Sequence, residues 1–113
     1  MIYLAAPYDH PEVWVVENRM RYVERALAYY AAAGTPATSP LLMHHCLNTG
    51  IKLPNNFEFW EKLCADYWVR CDSLVVLKLA GWWRSTGVSK ELSWAKRDNK
   101  PVSYLDVKEI YQR

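Results

Sequence analysis

Within seven residues, Ser85-Thr86-Gly87-Val88-Ser89-Lys90-Glu91 combines a hydroxyl, a glycine and a carboxylate. On a helix that begins near Val88, Glu91 falls in the first turn, where the macrodipole favours the ionised carboxylate by about 0.3 to 1 kcal/mol. An ionised carboxylate is a nucleophile or an acceptor for a hydroxyl, not a proton donor. Gly87 lets backbone approach a ligand closely. Ser85 sets a hydroxyl beside the free N–H groups of the helix start, an arrangement suited to a phosphate. The same spacing equally describes a plain helix cap in which Ser85 and Glu91 serve only the backbone.

Other chemistry-bearing side chains are scattered. Tyr8 and His45 are candidates for moving a proton, since a phenol in the first loop and an imidazole in a middle loop both reach towards one end of a sheet. Trp82-Trp83-Arg84 fits stacking on a flat base and pairing with a phosphate, and fits packing or a subunit interface as well. We assign Trp82 to a pocket wall. Arg19 and Arg21 stand near the first loop, with Arg19 the better candidate for an anion and simple solvation the alternative. His44-His45-Cys46 with Cys64 carries metal-capable atoms, but neighbouring histidines point apart and the spacing matches no zinc pattern, so no metal site is expected.

These groups depend on the elements that hold them. Ile2 to Ala5 reads as a buried strand opening into the loop Pro7-Tyr8-Asp9-His10-Pro11. Val16, Met20, Val23, Leu27 and Tyr30 recur at spacings of four and three, so 12–33 reads as a helix stopped by Gly34. Pro36 to Ser39 is a short strand, after which Pro40 leads into a loop with Met43, His44, His45 and Cys46. Residues 48–56 read as irregular, 57–71 as a helix, and Ser73 to Leu79 as the clearest strand. A loop at 81–87, a helix to Asn99, a strand at 101–105 and a last turn capped by Asp106 complete the chain.

Strands alternating with helices predict an α/β fold: one domain over residues 1–113, with a mostly parallel sheet between two helical layers. Ligands in such folds sit beyond the carboxyl ends of the strands. The loops 6–11 and 81–87 are therefore the expected site, with Ala6, Pro7 and Gly81 among its ligand contacts.

Composition narrows the partners. The net charge of +2 is mild and the basic residues are dispersed, which argues against a nucleic-acid polymer as ligand and leaves a small anion open. No apolar stretch approaches the roughly 18 residues of a membrane span, and the opening residues do not resemble a signal peptide. Three cysteines, an odd number, fit a reduced cytoplasmic setting. Six Trp, eight Tyr and two Phe exceed what one small core hides, which favours a homo-oligomer.

Met1-Ile2-Tyr3-Leu4-Ala5-Ala6-Pro7-Tyr8, the Ser39-Pro40-Leu41-Leu42-Met43-His44-His45 segment, and 71–82 followed by 85–95 resemble, in order and over nearly the whole chain, the nucleoside 2-deoxyribosyltransferase-like superfamily. The Ser85-x-Gly87-Val88-x-x-Glu91-Leu92-x-x-Ala95 segment is particularly similar to the nucleophile segment of its deoxynucleoside 5′-monophosphate N-glycosidases. The resemblance implies a Rossmann-like or flavodoxin-like sandwich. It also implies cleavage of a base–sugar bond in a nucleotide or nucleoside, with Glu91 as nucleophile, Ser85 on the 5′-phosphate and no cofactor. It further implies an acid on the helix before the long strand, at the position held by Cys64. The nearest carboxylate is Asp66, which stands about 200 degrees round the helix from Cys64. Two readings follow: an N-glycosidase or deoxyribosyltransferase, with hydrolysis preferred and Glu91, Tyr8 and Asp66 as catalytic candidates, or a module that binds a nucleotide-derived ligand without turnover.

Overall fold

The computed structural model describes residues 1–47, 51, 53, 54 and 56–111. Four strands, β1 (Ile2–Ala5), β2 (Ala37–Thr38), β3 (Ser73–Leu77) and β4 (Val102–Leu105), form one all-parallel sheet in the order β2-β1-β3-β4. Parallel neighbours need crossovers. Helices α1 (Val13–Ala32), α2 (Pro40–Cys46), α3 (Phe57–Trp68) and α4 (Thr86–Arg97) lie between successive strands, and α5 (Val107–Ile110) follows β4. The result is the α/β sandwich of Rossmann or flavodoxin type that the alternation implies.

The period-two geometry of β1 and β3 divides their side chains between two cores. Leu4, Val75 and Leu77 pack with Met20, Val23 and Ala26 of α1 and Ile110 of α5. On the opposite face Tyr3, Ala5, Leu74 and Val76 meet Trp68 of α3 and Val88, Trp94 and Ala95 of α4. The Trp68 indole N–H donates to Asp98 at 2.7 Å, tying the end of α3 to the end of α4. Both edges are poor templates for further pairing: β2 has two residues, and β4 exposes Val102, Ser103 and Tyr104.

Helix α3 ends at Trp68 and β3 at Leu77, short of the expected 71 and 79, and two further differences bear on the site. Met43 to Cys46 lie in α2, not in a loop, because Ser39 and Pro40 start a helix where they read as a strand end and a loop entry. The Ser39 hydroxyl oxygen, in a residue only 4% exposed, accepts the Leu42 N–H at 3.2 Å, and Pro40 occupies the first turn, where a missing N–H costs nothing. Likewise α4 begins at Thr86, since Ser85 caps it by accepting the Val88 N–H at 3.2 Å. Glu91 therefore stands in the second turn of α4, where the macrodipole acts more weakly than in the first. The expected irregular stretch 48–56 falls largely outside the described residues.

Candidate active site

From β1 the sheet extends one way to β2 and the other way to β3, so its winding reverses between β1 and β3. A reversal leaves a crevice at the carboxyl ends of the two strands, because their outgoing loops diverge to opposite faces. A cavity of about 780 Å³ occupies it, bounded by residues 6–10 after β1, Gly81 and residues 84–87 after β3, and side chains of α1 to α4. That volume suits a small organic ligand.

Glu91 of α4 lines this cavity together with Cys64 of α3. Tyr3 of β1 lies behind them, its hydroxyl close enough to influence both. Burial raises the Glu91 carboxyl from 4.5 to about 7, opposed by the nearby Tyr3 hydroxyl. This corrects the expectation of a firmly ionised carboxylate, because loss of solvent outweighs what remains of the helix dipole. Burial also lifts the Cys64 thiol to about 11 and raises Tyr3 further above its ordinary range. The Tyr3 oxygen is itself buried and makes no aligned hydrogen bond with any described residue.

The loops are held by Arg19. Its guanidinium donates to the Tyr8 and Asp9 carbonyls at 3.1 and 3.0 Å and to the Ala80 carbonyl at 3.2 Å, so one side chain of α1 joins the loop after β1 to the loop after β3. Gly81 sits at φ +84°, and a side chain there would be backbone-strained and would meet Arg19 Nη2 at 3.5 Å. Across the cavity, Lys90 pairs with Glu61 at 2.8 Å and bridges α4 to α3.

On the rim, the Tyr8 hydroxyl and His45 Nδ1 are 2.9 Å apart, and His45 Nε2 lies 3.0 Å from Glu17 of α1. Tyr8 lines the cavity, whereas His45 stands behind it. Burial, with the charges of Asp9 and Glu17, raises the Tyr8 phenol above its ordinary value. His44 lines the cavity and its ring lies 4.0 Å from that of Trp60, while its Nε2 is buried with no partner among the described residues. Burial lowers its proton affinity, which favours the neutral ring.

Of the candidates from sequence, Ala6, Pro7, Tyr8, Arg19, Gly81, Ser85, Gly87 and Glu91 all border the one cavity. Asp66 does not: it is exposed on α3, turned away from Cys64 as helical rotation dictates. Trp82 is not a cavity wall either. It belongs to the 3-10 turn Trp82–Arg84 and packs against Trp83 and Tyr104, with ring centroids 6.2 and 5.3 Å away. Among the described residues no three His, Cys, Asp or Glu side chains group as a metal site.

Sequence reasoning missed Tyr3, Glu17 and Trp60, and weighed His44 only as a metal ligand. Tyr3 carried a signal, since a phenol in the middle of a buried strand must take its hydroxyl somewhere polar. Glu17 carried none, being one of two exposed acids on α1, with Glu24. No curated protein matches the chain. A family described as a domain of unknown function, DUF1937, matches residues 1–107, and the chain belongs to that family.

Proposed function

We propose that the chain is an N-glycosidase that releases the base from a nucleotide or nucleoside, with Glu91 attacking the anomeric carbon. The observation that carries this reading is the Glu91 carboxyl on a cavity of nucleotide size at the point where the sheet reverses. Breaking the C–N bond builds positive character on the sugar, which a carboxylate captures, and the departing base needs a proton. Burial that raises its carboxyl to about 7 leaves Glu91 able to be either ionised or protonated near neutral pH. Ser85, Arg84 and the start of α4 supply donors for a 5′-phosphate on the same wall. Water is the preferred acceptor over a second base. Free Cys46, Cys64 and Cys71 support a reducing cytoplasmic setting. Exposed Trp14, Trp83 and Tyr104 support self-association. No helix among the described residues is long and apolar enough to cross a membrane.

One observation favours binding without turnover: Cys64, with its thiol held protonated, occupies the wall where the resemblance implies a stronger acid. Incubation with the deoxyribo- and ribonucleoside 5′-monophosphates of the common bases, followed by chromatography of free base, separates the two readings. Release that falls at least about a thousandfold in Glu91→Gln, with ligand affinity kept within about tenfold, supports the glycosidase. Binding without any release leaves the binding module, and release undiminished in Glu91→Gln removes Glu91 from the mechanism.

A further inference from the structure

We propose that Tyr8 is the proton-transfer group of this cavity and that His45, held by Glu17, switches it between acid and base. The proposal rests on the glycosidase reading and supplies the second proton-handling role that Cys64 and Asp66 do not fill. The three groups come from three elements: the loop after β1, α2 and α1. They run in order from the cavity wall to a Glu17 side chain that is 53% exposed, so they form a proton path from ligand to solvent.

The Glu17 contact selects the His45 tautomer, and the tautomer sets the direction of the bond to Tyr8. A carboxylate only accepts, so Glu17 requires a hydrogen on His45 Nε2. In the neutral ring Nδ1 is then the acceptor, the Tyr8 O–H points at it, and the Tyr8 oxygen presents lone pairs to the cavity as a base. In the doubly protonated ring Nδ1–H donates to the Tyr8 oxygen, which releases the Tyr8 O–H to point into the cavity as an acid. Glu17 keeps its bond to Nε2–H in both states. The raised proton affinity of Tyr8 keeps the phenol from ionising by itself.

The protons balance across two steps. In the first, a Glu91 oxygen bonds the anomeric carbon as the C–N pair leaves with the base, Tyr8 gives its proton to the base nitrogen, and His45 Nδ1–H replaces it. In the second, water attacks the anomeric carbon, the bond to Glu91 breaks with its pair returning to the carboxylate, and the water proton passes to Tyr8 as the Tyr8 proton returns to His45. The cycle ends with His45 as it began.

A comparison of leaving groups tests the role. Natural nucleoside 5′-monophosphates need a proton on the base, whereas 4-nitrophenyl 2-deoxyriboside 5-phosphate expels a stable phenolate unaided. Tyr8→Phe is expected to lower kcat on the natural substrate about a hundredfold, with KM nearly unchanged, and on the nitrophenyl substrate no more than about threefold. His45→Gln and Glu17→Gln should show the same selectivity with smaller losses, and they carry the test if Tyr8→Phe does not fold. Equal losses on both substrates, or no loss on either, overturn the relay while leaving Glu91 in place. Absence of base release from the wild type removes the glycosidase reading and the relay with it, whereas release independent of Glu91 keeps the glycosidase reading and removes the two-step scheme through Glu91.

Discussion

The floor and the rim of the cavity handle protons under opposite conditions. On the floor Glu91, Cys64 and Tyr3 are crowded together, and burial makes each harder to ionise. On the rim Tyr8, His45 and Glu17 form a hydrogen-bonded chain that ends in a half-exposed carboxylate. The difference is one of solvent and partners more than of residue type, since each region holds a glutamate and a tyrosine. A buried acid without a cationic partner stores an electrostatic cost, whereas a bonded chain that reaches water passes protons at little cost.

That cost sets the largest expected effect on the fold. Glu91 is raised from 4.5 to about 7, so the unfolded chain releases this proton at a lower pH than the folded one. Between those values the folded state binds more protons, and stability falls as pH rises from about 4.5 through about 7. At about 1.4 kcal/mol per pH unit the loss reaches up to about 3 kcal/mol, an upper figure because Glu91 retains some contact with solvent. Urea denaturation at pH 5 and pH 8 checks it: the wild type should lose stability across that interval, and Glu91→Gln should lose much less. Equal losses in the two proteins would mean that the floor carries no such penalty.

Replacing the floor thiol sharpens the contrast. At Cys64 a carboxyl would face Glu91 and Glu61, the charges that already oppose ionisation of the thiol, so it would hold its proton at neutral pH. Cys64→Asp is expected to raise base release by about tenfold to a hundredfold, the usual contribution of a positioned acid. Asp66→Asn should leave release within about twofold, because that side chain is exposed away from the cavity. Steady-state rates of the two variants on one nucleotide measure both; release in Cys64→Asp equal to that of the wild type would indicate that the rim already supplies the proton.

Much of this arrangement follows from local pattern. The buried run of β1, the branched run of β3 and the apolar stripe of α1 identify themselves through period and residue type, and the crevice then follows from topology. The boundaries of α2 and α4 were harder, since Ser39-Pro40 and Ser85 serve equally as turn, ligand or cap, and only the backbone N–H they accept decides. The rim was not legible as a unit. Tyr8 and His45 are 37 positions apart and Glu17 lies on another helix, so the chain becomes visible only when three elements converge.

Arg19 tests whether rim and floor are one mechanical unit. Its guanidinium is committed to three backbone carbonyls from two loops, which leaves it a positioning residue more than a phosphate ligand. Arg19→Ala should cost about 2 kcal/mol of stability and weaken nucleosides and their monophosphates to a similar degree. Arg19→Lys should restore little, since one ammonium cannot span both loops. Calorimetric titration of a nucleoside and its monophosphate checks this. A loss confined to the monophosphate, with a reduced dependence on salt, would return Arg19 to the anion.

The smallest effect belongs to Ser85, whose single hydroxyl serves both the helix and the proposed anion. Its oxygen accepts the Val88 N–H at 3.2 Å, while its hydrogen remains to donate into the cavity that Ser85 lines. Ser85→Ala removes both and should cost about 1 kcal/mol of stability from the lost cap. On the phosphate reading it also costs about 1 to 2 kcal/mol of monophosphate affinity, with nucleoside affinity nearly unchanged. Ser85→Asp separates the two roles. Aspartate caps a helix as well as serine does, so stability should hold, while its charge faces the phosphate and should depress monophosphate binding below that of Ser85→Ala. Monophosphate affinity unaltered in Ser85→Asp would confine Ser85 to the cap and place any bound anion elsewhere on the cavity wall.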